Sequence, residues 1–318
     1  MQTSLKLGLL CLLAFFQNTT FTQAQIIINE YSCSNDTEYI DGFGENEDWI
    51  ELYNTSGAAI DMTGMYLSDK ASNLLKWQIP SGSIPANGFK MVVASRRDLI
   101  NGADYHPNFN LKQTQGEWII LTNNLGNVLD SIKIVHLTKT GHSVGRSTNG
   151  AVDWKLFTNP TPNANNAGAQ NFYEPRPQLS LAPGFYAGAQ SVTMTCADAA
   201  ATIRYTTNGS SPNAGSTAYS GAVNVPTTMV IRAAAFGADE PSFTESNTYL
   251  INETHNVPVV SVCGAGVYDL VANGNQSPQN EVGSFELFEQ DGSFIDEGEG
   301  GFNKHGNDSW FYDQRGFD

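Results

Sequence analysis

Disulfide pairs, basic charge and long apolar runs are all scarce in this chain of 318 residues. Its four cysteines are Cys11, Cys33, Cys196 and Cys263. Cys11 lies in an N-terminal apolar run. The other three are far apart and cannot all pair, so free buried thiols are expected rather than a disulfide framework. No C-x-x-C and no H-x-x-x-H occurs, which leaves a structural zinc site without a basis. Lys and Arg number 16 against 32 Asp and Glu, a formal net charge of −16. That balance repels polyanions, so nucleic acid and anionic membrane are not expected partners. Charged residues make up 15% of the chain, and Gly, Asn, Ser and Thr are abundant, as in a secreted, loop-rich β protein rather than a helical cytosolic enzyme.

The marked apolar run, Leu7 to Phe16, follows Lys6 and is short for a bilayer span. Thr22 and Ala24 supply small residues behind it. Residues 1–24 are therefore expected to be a signal peptide, cleaved near Ala24 or Gln25. No small residue precedes Cys11, so a lipid anchor is not expected. No later segment is apolar enough to cross a membrane. The protein is expected to be secreted, extracellular or at the cell surface.

What the chain has is short strands and turns. Asp48-Trp49-Ile50-Glu51-Leu52-Tyr53-Asn54 reads as a strand, with Ile50 and Leu52 on one face and Glu51 on the polar face. Ile26–Tyr31, Leu75–Ile79, Phe89–Ala94, Trp118–Thr122 and Val128–Ile134 read likewise, and Asn123–Asn127 between the last two is a hairpin connection. This spacing predicts a β-sandwich over 25–168. Residues 169–177 carry Pro175 and Pro177 and read as a semi-rigid linker. Residues 178–251 repeat the strand-and-turn pattern, with the turn Asn208-Gly209-Ser210-Ser211-Pro212. Residues 252–318 open a third unit with the strand Val257–Val262 and a hairpin about Gln290-Asp291-Gly292. The expected fold is all-β, two consecutive immunoglobulin-like sandwiches and then an incomplete α+β domain. The third unit is expected to be the start of a longer one.

Candidate chemistry is thin. The acidic loop of Asp36, Glu38, Asp41, Glu45, Glu47 and Asp48 offers oxygens for calcium but lacks the D-x-[DN]-x-[DN]-G spacing, so a solvated loop is the preferred reading and a metal remains open. Gly298-Glu299-Gly300-Gly301 has no G-K-[ST] after it and carries acids that repel phosphate, so tight turning is expected there. Lys304 and His305 are the best cations should a nucleotide approach. His106, His136, His142 and His255 are isolated, and no G-x-S-x-G elbow supports a nucleophilic serine. Tyr66, Trp77 and Trp154 either stack on sugars or belong to the core, the core being the more common use. No catalytic and no cofactor-binding residue is assigned.

Three resemblances follow from these segments. I-I-I-N-E-Y, D-W-I-E-L-Y-N, I-D-M-T-G-M-Y-L-S-D, W-Q-I-P and F-N-L-K-Q-T-Q-G-E-W-I-I-L-T-N-N-L-G-N-V-L-D-S-I resemble the lamin-tail domain, as do G-H-S-V-G-R and Trp154 with Pro160–Asn163. That family implies a non-catalytic immunoglobulin-like module of secreted or surface proteins. I-R-Y-T-T-N-G-S-S-P, Y-S-G and V-I-R-A-A-A resemble the chitobiase/β-hexosaminidase C-terminal-like domain, with Asn208 where that family usually has Asp. That domain is an appended sandwich without the glycosidase site. Val257–Ser309 resembles the opening of the spore-coat protein H (CotH) kinase-like family, with Asp308 a departure. The resemblances imply binding or scaffolding modules, with an extracellular polysaccharide or surface protein as partner. The alternative they imply is the leading part of a secreted phosphotransferase, which would use ATP and a divalent metal through residues beyond 318.

Overall fold

A computed structural model describes residues 25–114, 116–264, 266–267 and 281–302. The expected signal peptide and the segment Lys304–Ser309 lie outside the described residues. Every element with defined bounds is a β-strand, and Gly266 and Val267 are helical. The chain divides into two compact units. One runs to Thr138 and takes in Thr161–Asn165. The other comprises Lys139–Pro160 and the chain from Asn166 onward.

The first unit holds β1 (Ile26–Ser32), β2 (Trp49–Asn54), β3 (Ile60–Asp61), β4 (Tyr66–Ser68), β5 (Trp77–Gln78), β6 (Ser83–Ile84), β7 (Phe89–Val93), β8 (Leu99–Asn101), β9 (Asp104–His106), β10 (Trp118–Thr122) and β11 (Val128–Lys133). One sheet runs β1-β2-β7-β9-β8 and the other β11-β10-β4-β5, with β3 and β6 paired apart. β1 packs on β10 and β11, and its Ile28 N–H donates to Asp130 Oδ2 at 2.8 Å. Ile28, Ile50, Leu52, Leu67, Val92, Ile119 and Leu121 have no exposed surface, and each such side chain contributes about 2 kcal/mol by leaving water. The β10–β11 connection is the expected hairpin. Asn123 N–H donates to Asn127 O at 2.9 Å, and Gly126 takes φ 83°, a conformation that glycine adopts without Cβ strain.

One expectation fails in β2. Trp49, Ile50, Glu51 and Leu52 are all fully buried, so Glu51 does not lie on a solvated face. Both faces of the strand are covered, and the Glu51 side meets the segment 161–163.

The second unit begins with the hairpin β12 (Ser143–Arg146) and β13 (Trp154–Phe157). The segment after it makes backbone hydrogen bonds to its neighbours. Leu156 and Gln170 exchange both backbone hydrogen bonds, and Glu174 N–H donates to Glu240 O at 2.8 Å. The sandwich that follows contains β14 (Gln178–Leu179), β15 (Gly184–Tyr186), β16 (Gln190–Val192), β17 (Met194–Thr195), β18 (Thr202–Thr206), β19 (Thr217–Ala218), β20 (Val223–Val225), β21 (Met229–Phe236) and β22 (Glu245–Ile251). Its main sheet runs β15-β22-β21-β18-β19, with the pairs β14-β17 and β16-β20 against it. Val192, Met194, Val225, Ile231, Ala233 and Tyr249 form the core.

A third sheet, β23-β24-β25, is built from β23 (Val259–Cys263), β24 (Glu281–Phe288) and β25 (Phe294–Phe302). The expected hairpin joins the last two, with Gly292 at φ 86° and Asp291 Oδ1 accepting the Ser293 N–H at 2.9 Å. Gly298-Glu299-Gly300-Gly301 is extended strand within β25, not the expected tight turn. Gly298 serves close approach: a Cβ there would lie 2.7 Å from Phe285 Cε1, and Phe285 is its cross-strand partner.

Candidate functional site

Among the described residues, three polar clusters hold several of the buried charged groups. The first rests on a β-bulge in β1, between Ile28 and Glu30, which sets Glu30 opposite Glu51 of β2. Both carboxyls are fully buried. Asn29 Nδ2 donates to Glu51 Oε1 at 2.9 Å, and Asn163 N–H donates to Glu51 Oε2 at 2.6 Å. Thr161 reaches Glu30 twice, from its N–H at 3.1 Å and its hydroxyl at 2.6 Å. Burial pushes the Glu51 carboxyl up to about 8; the Asn29 amide opposes the rise, the Glu30 charge adds to it, and the Asn163 N–H opposes it. Two strand carboxyls thus hold the segment Thr161–Asn165 over the sheet.

The second cluster is the acidic loop. Asp41 is buried and its Oδ1 accepts the N–H groups of Phe43 at 2.8 Å and Glu45 at 2.9 Å. Arg97 approaches Asp41 at 3.3 Å, Glu47 at 3.5 Å and Glu45 at 3.8 Å, and its guanidinium lies 4.6 Å from the Phe43 ring centroid. Tyr39 donates to Asp104, as does Gly42 N–H at 3.0 Å. The loop is folded around an arginine. Among the described residues no group of three or more His, Cys, Asp or Glu is placed to hold a metal ion. Asp48 is not a fully solvated loop end: burial, then the Glu47 charge, push its carboxyl up to about 7 against the Asn35 N–H.

The third cluster lies in the second unit, where β24 and β25 meet the sandwich. Arg232 on β21 is fully buried. It donates to Ser246 Oγ at 3.1 Å, Gly209 O at 3.2 Å, Ser211 Oγ at 3.0 Å and Glu299 Oε1 at 3.0 Å. Glu286 of β24 accepts the Thr248 N–H at 3.1 Å. Burial pushes its carboxyl up to about 7, Thr248 pulls it down, and Glu297 and Glu245 push it up. Arg176 stands 3.5 Å from Glu245 and 3.9 Å from Glu297. A cleft of about 130 Å³ opens here, lined by Arg176, Ser246, Phe285, Glu297 and Glu299 among others. Its Arg176 already faces Glu245 and Glu297, so that charge is compensated.

The remaining expected residues scatter. Trp77 is buried, 4% exposed, and its Nε1 donates to Asp98 at 2.9 Å, so it is core rather than a sugar platform. Tyr66 and Trp154 are half-buried, and the Arg146 guanidinium lies 4.9 Å from the Trp154 ring centroid. His142 Nδ1 shares a hydrogen bond with Tyr173 Oη at 2.8 Å, and His255 sits edge-on to Phe185. His136 is exposed. His106 is fully buried and its Nδ1 lies 2.9 Å from Ser95 Oγ. Spacing gave no hint of this Ser–His contact. It does not complete a triad, because His106 Nε2 has no hydrogen-bond partner among the described residues. Cys33, Cys196 and Cys263 are free and half-buried.

The described residues thus form a series of β-sandwich modules whose buried polar groups brace neighbouring segments. Comparison with known families agrees. Residues 19–136 match the Lamin Tail Domain, and residues 181–248 match the Chitobiase/beta-hexosaminidase C-terminal domain. Neither match reaches the third sheet. No curated protein matches the chain.

Proposed function

We propose that the chain is an exported multimodule protein whose sandwiches bind or scaffold and do not catalyse. The observation that carries this is the use of the buried polar groups. Glu30 and Glu51 hold 161–163, and Arg232 and Glu286 hold the third sheet to the sandwich. A general acid–base pair needs a proton-bearing group within reach of a substrate, whereas these groups meet protein. The run Lys6 to Phe16 supports export. Among the described residues no helix is long and apolar enough to cross a membrane. The partner class is an extracellular polysaccharide or a surface protein.

The test is a glycan and surface-protein array probed with the purified full chain, run beside assays for ATP and glycoside turnover. Retention on a polymer or protein without turnover is expected. Turnover of ATP would move the protein to the phosphotransferase reading, which rests on the resemblance of Val257–Ser309 alone. No retention on any glycan or protein would remove the binding role.

A further inference from the structure

We propose that Lys76 and Asp69 form an intramolecular amide bond, a covalent staple between neighbouring strands of the first unit. Asp69 follows β4 directly, Lys76 precedes β5, and Glu117 precedes β10. The order β10-β4-β5 places β4 between the other two, so the three side chains share one end of the sheet with Asp69 in the middle. Lys76 Nζ lies 2.6 Å from Asp69 Oδ1 and 2.8 Å from Oδ2. Asp69 is 5% exposed and the Lys76 side chain 20%. Phe109, itself buried, covers the ammonium with its ring centroid 5.3 Å away.

A charge pair alone would leave Glu117 unexplained. Its Oε2 is buried and has no hydrogen-bond partner among the described residues, a costly arrangement for a carboxylate and a natural one for a carboxylic acid with a proton to give. Burial, then the Asp69 charge, push the Glu117 carboxyl up, against the Lys112 N–H and the charges of Lys112 and Lys76. Glu117 thus shares this end of the sheet with Asp69 and Lys76, and its unpartnered Oε2 is the atom assigned the proton.

The step balances without a co-reactant. Lys76 Nζ releases a proton and attacks Asp69 Cγ, forming the C–N bond. Glu117 protonates an Asp69 oxygen as the tetrahedral centre forms and relays a second proton so that this oxygen leaves as water. Ammonium and carboxylate become one amide and one water molecule. Holding the two groups in contact removes the entropic barrier to a reaction that is slow between free molecules, and the half-buried site limits competing water.

The experiment is a tryptic map of the full chain by high-resolution mass spectrometry, with Lys76→Arg and Glu117→Gln alongside and circular dichroism to confirm folding. The expected result is a branched peptide joining Asp69 to Lys76, lighter by one water than its two parts, with no cleavage after Lys76. Lys76→Arg should abolish it, and Glu117→Gln should abolish or greatly slow it while leaving the strand signal intact. Complete cleavage after Lys76 in the unmodified chain, with both peptides at their unlinked masses, would overturn the proposal. A branch formed equally fast in Glu117→Gln would overturn the role given to Glu117.

Discussion

Replacing Glu51 by Gln should change the sign of its effect with pH. The Glu51 carboxyl is fully buried and its pKa is pushed from 4.5 up to about 8. A carboxyl that holds its proton more tightly in the folded state contributes most below its unfolded pKa, and stability is lost as pH rises towards the folded value. A shift of that size corresponds to at most about 5 kcal/mol, lost between about pH 4 and about pH 9. Gln keeps an oxygen for the Asn163 N–H, bonded at 2.6 Å, but turns an amide donor towards Asn29, which donates to Glu51 at 2.9 Å. That mismatch costs about 1 kcal/mol. E51Q should therefore be less stable than the parent by about 1 kcal/mol near pH 4 and more stable by several kcal/mol near pH 9. Urea unfolding followed by tryptophan fluorescence at several pH values reads the difference. A destabilisation by E51Q that stays constant across the range would refute the account of this carboxyl.

The other clusters make their own predictions. Thr161→Val deprives buried Glu30 of the hydroxyl bonded at 2.6 Å and should cost about 1–2 kcal/mol, read as earlier proteolysis within 161–165. Arg232→Met removes the donors to Ser246, Gly209, Ser211 and Glu299 and should cost about 3–5 kcal/mol, seen as loss of hydrogen-exchange protection in β21 and β25. Gly298→Val puts a Cβ where Phe285 Cε1 stands 2.7 Å away, an overpacking cost of about 1–3 kcal/mol that a lowered melting temperature would show. Calcium and chelator should leave the melting temperature unchanged, because Arg97 already pairs with the loop acids; a rise with calcium that chelator reverses would contradict this.

Strand positions were legible because apolar and β-branched residues recur between Gly, Asn and Pro turns. β2, the Asn123–Asn127 hairpin and the Asp291-Gly292 turn all follow from local pattern. What covers a strand was not legible. Glu51 reads as a polar face because alternation reports one neighbour layer, and its cover comes from Asn163, 112 positions away. Arg232 stands out of an otherwise apolar alternation in β21, a signal that could have marked a buried partner but not Glu299. The glycines of 298–301 look like a turn until β24 is placed alongside them, with Phe285 opposite Gly298 and Gly283 opposite Gly300. The contact of Ser95 with His106 and the meeting of Lys76, Asp69 and Glu117 depend on strand order, which spacing along the chain does not carry.

Binding without turnover is tested most directly in one vessel. The purified full chain is mixed with insoluble polysaccharide and ATP, and bound protein, released sugar and released phosphate are followed together. Protein that partitions onto the polymer while sugar and phosphate stay at buffer levels is the predicted result. Release of either product in proportion to protein concentration would contradict it.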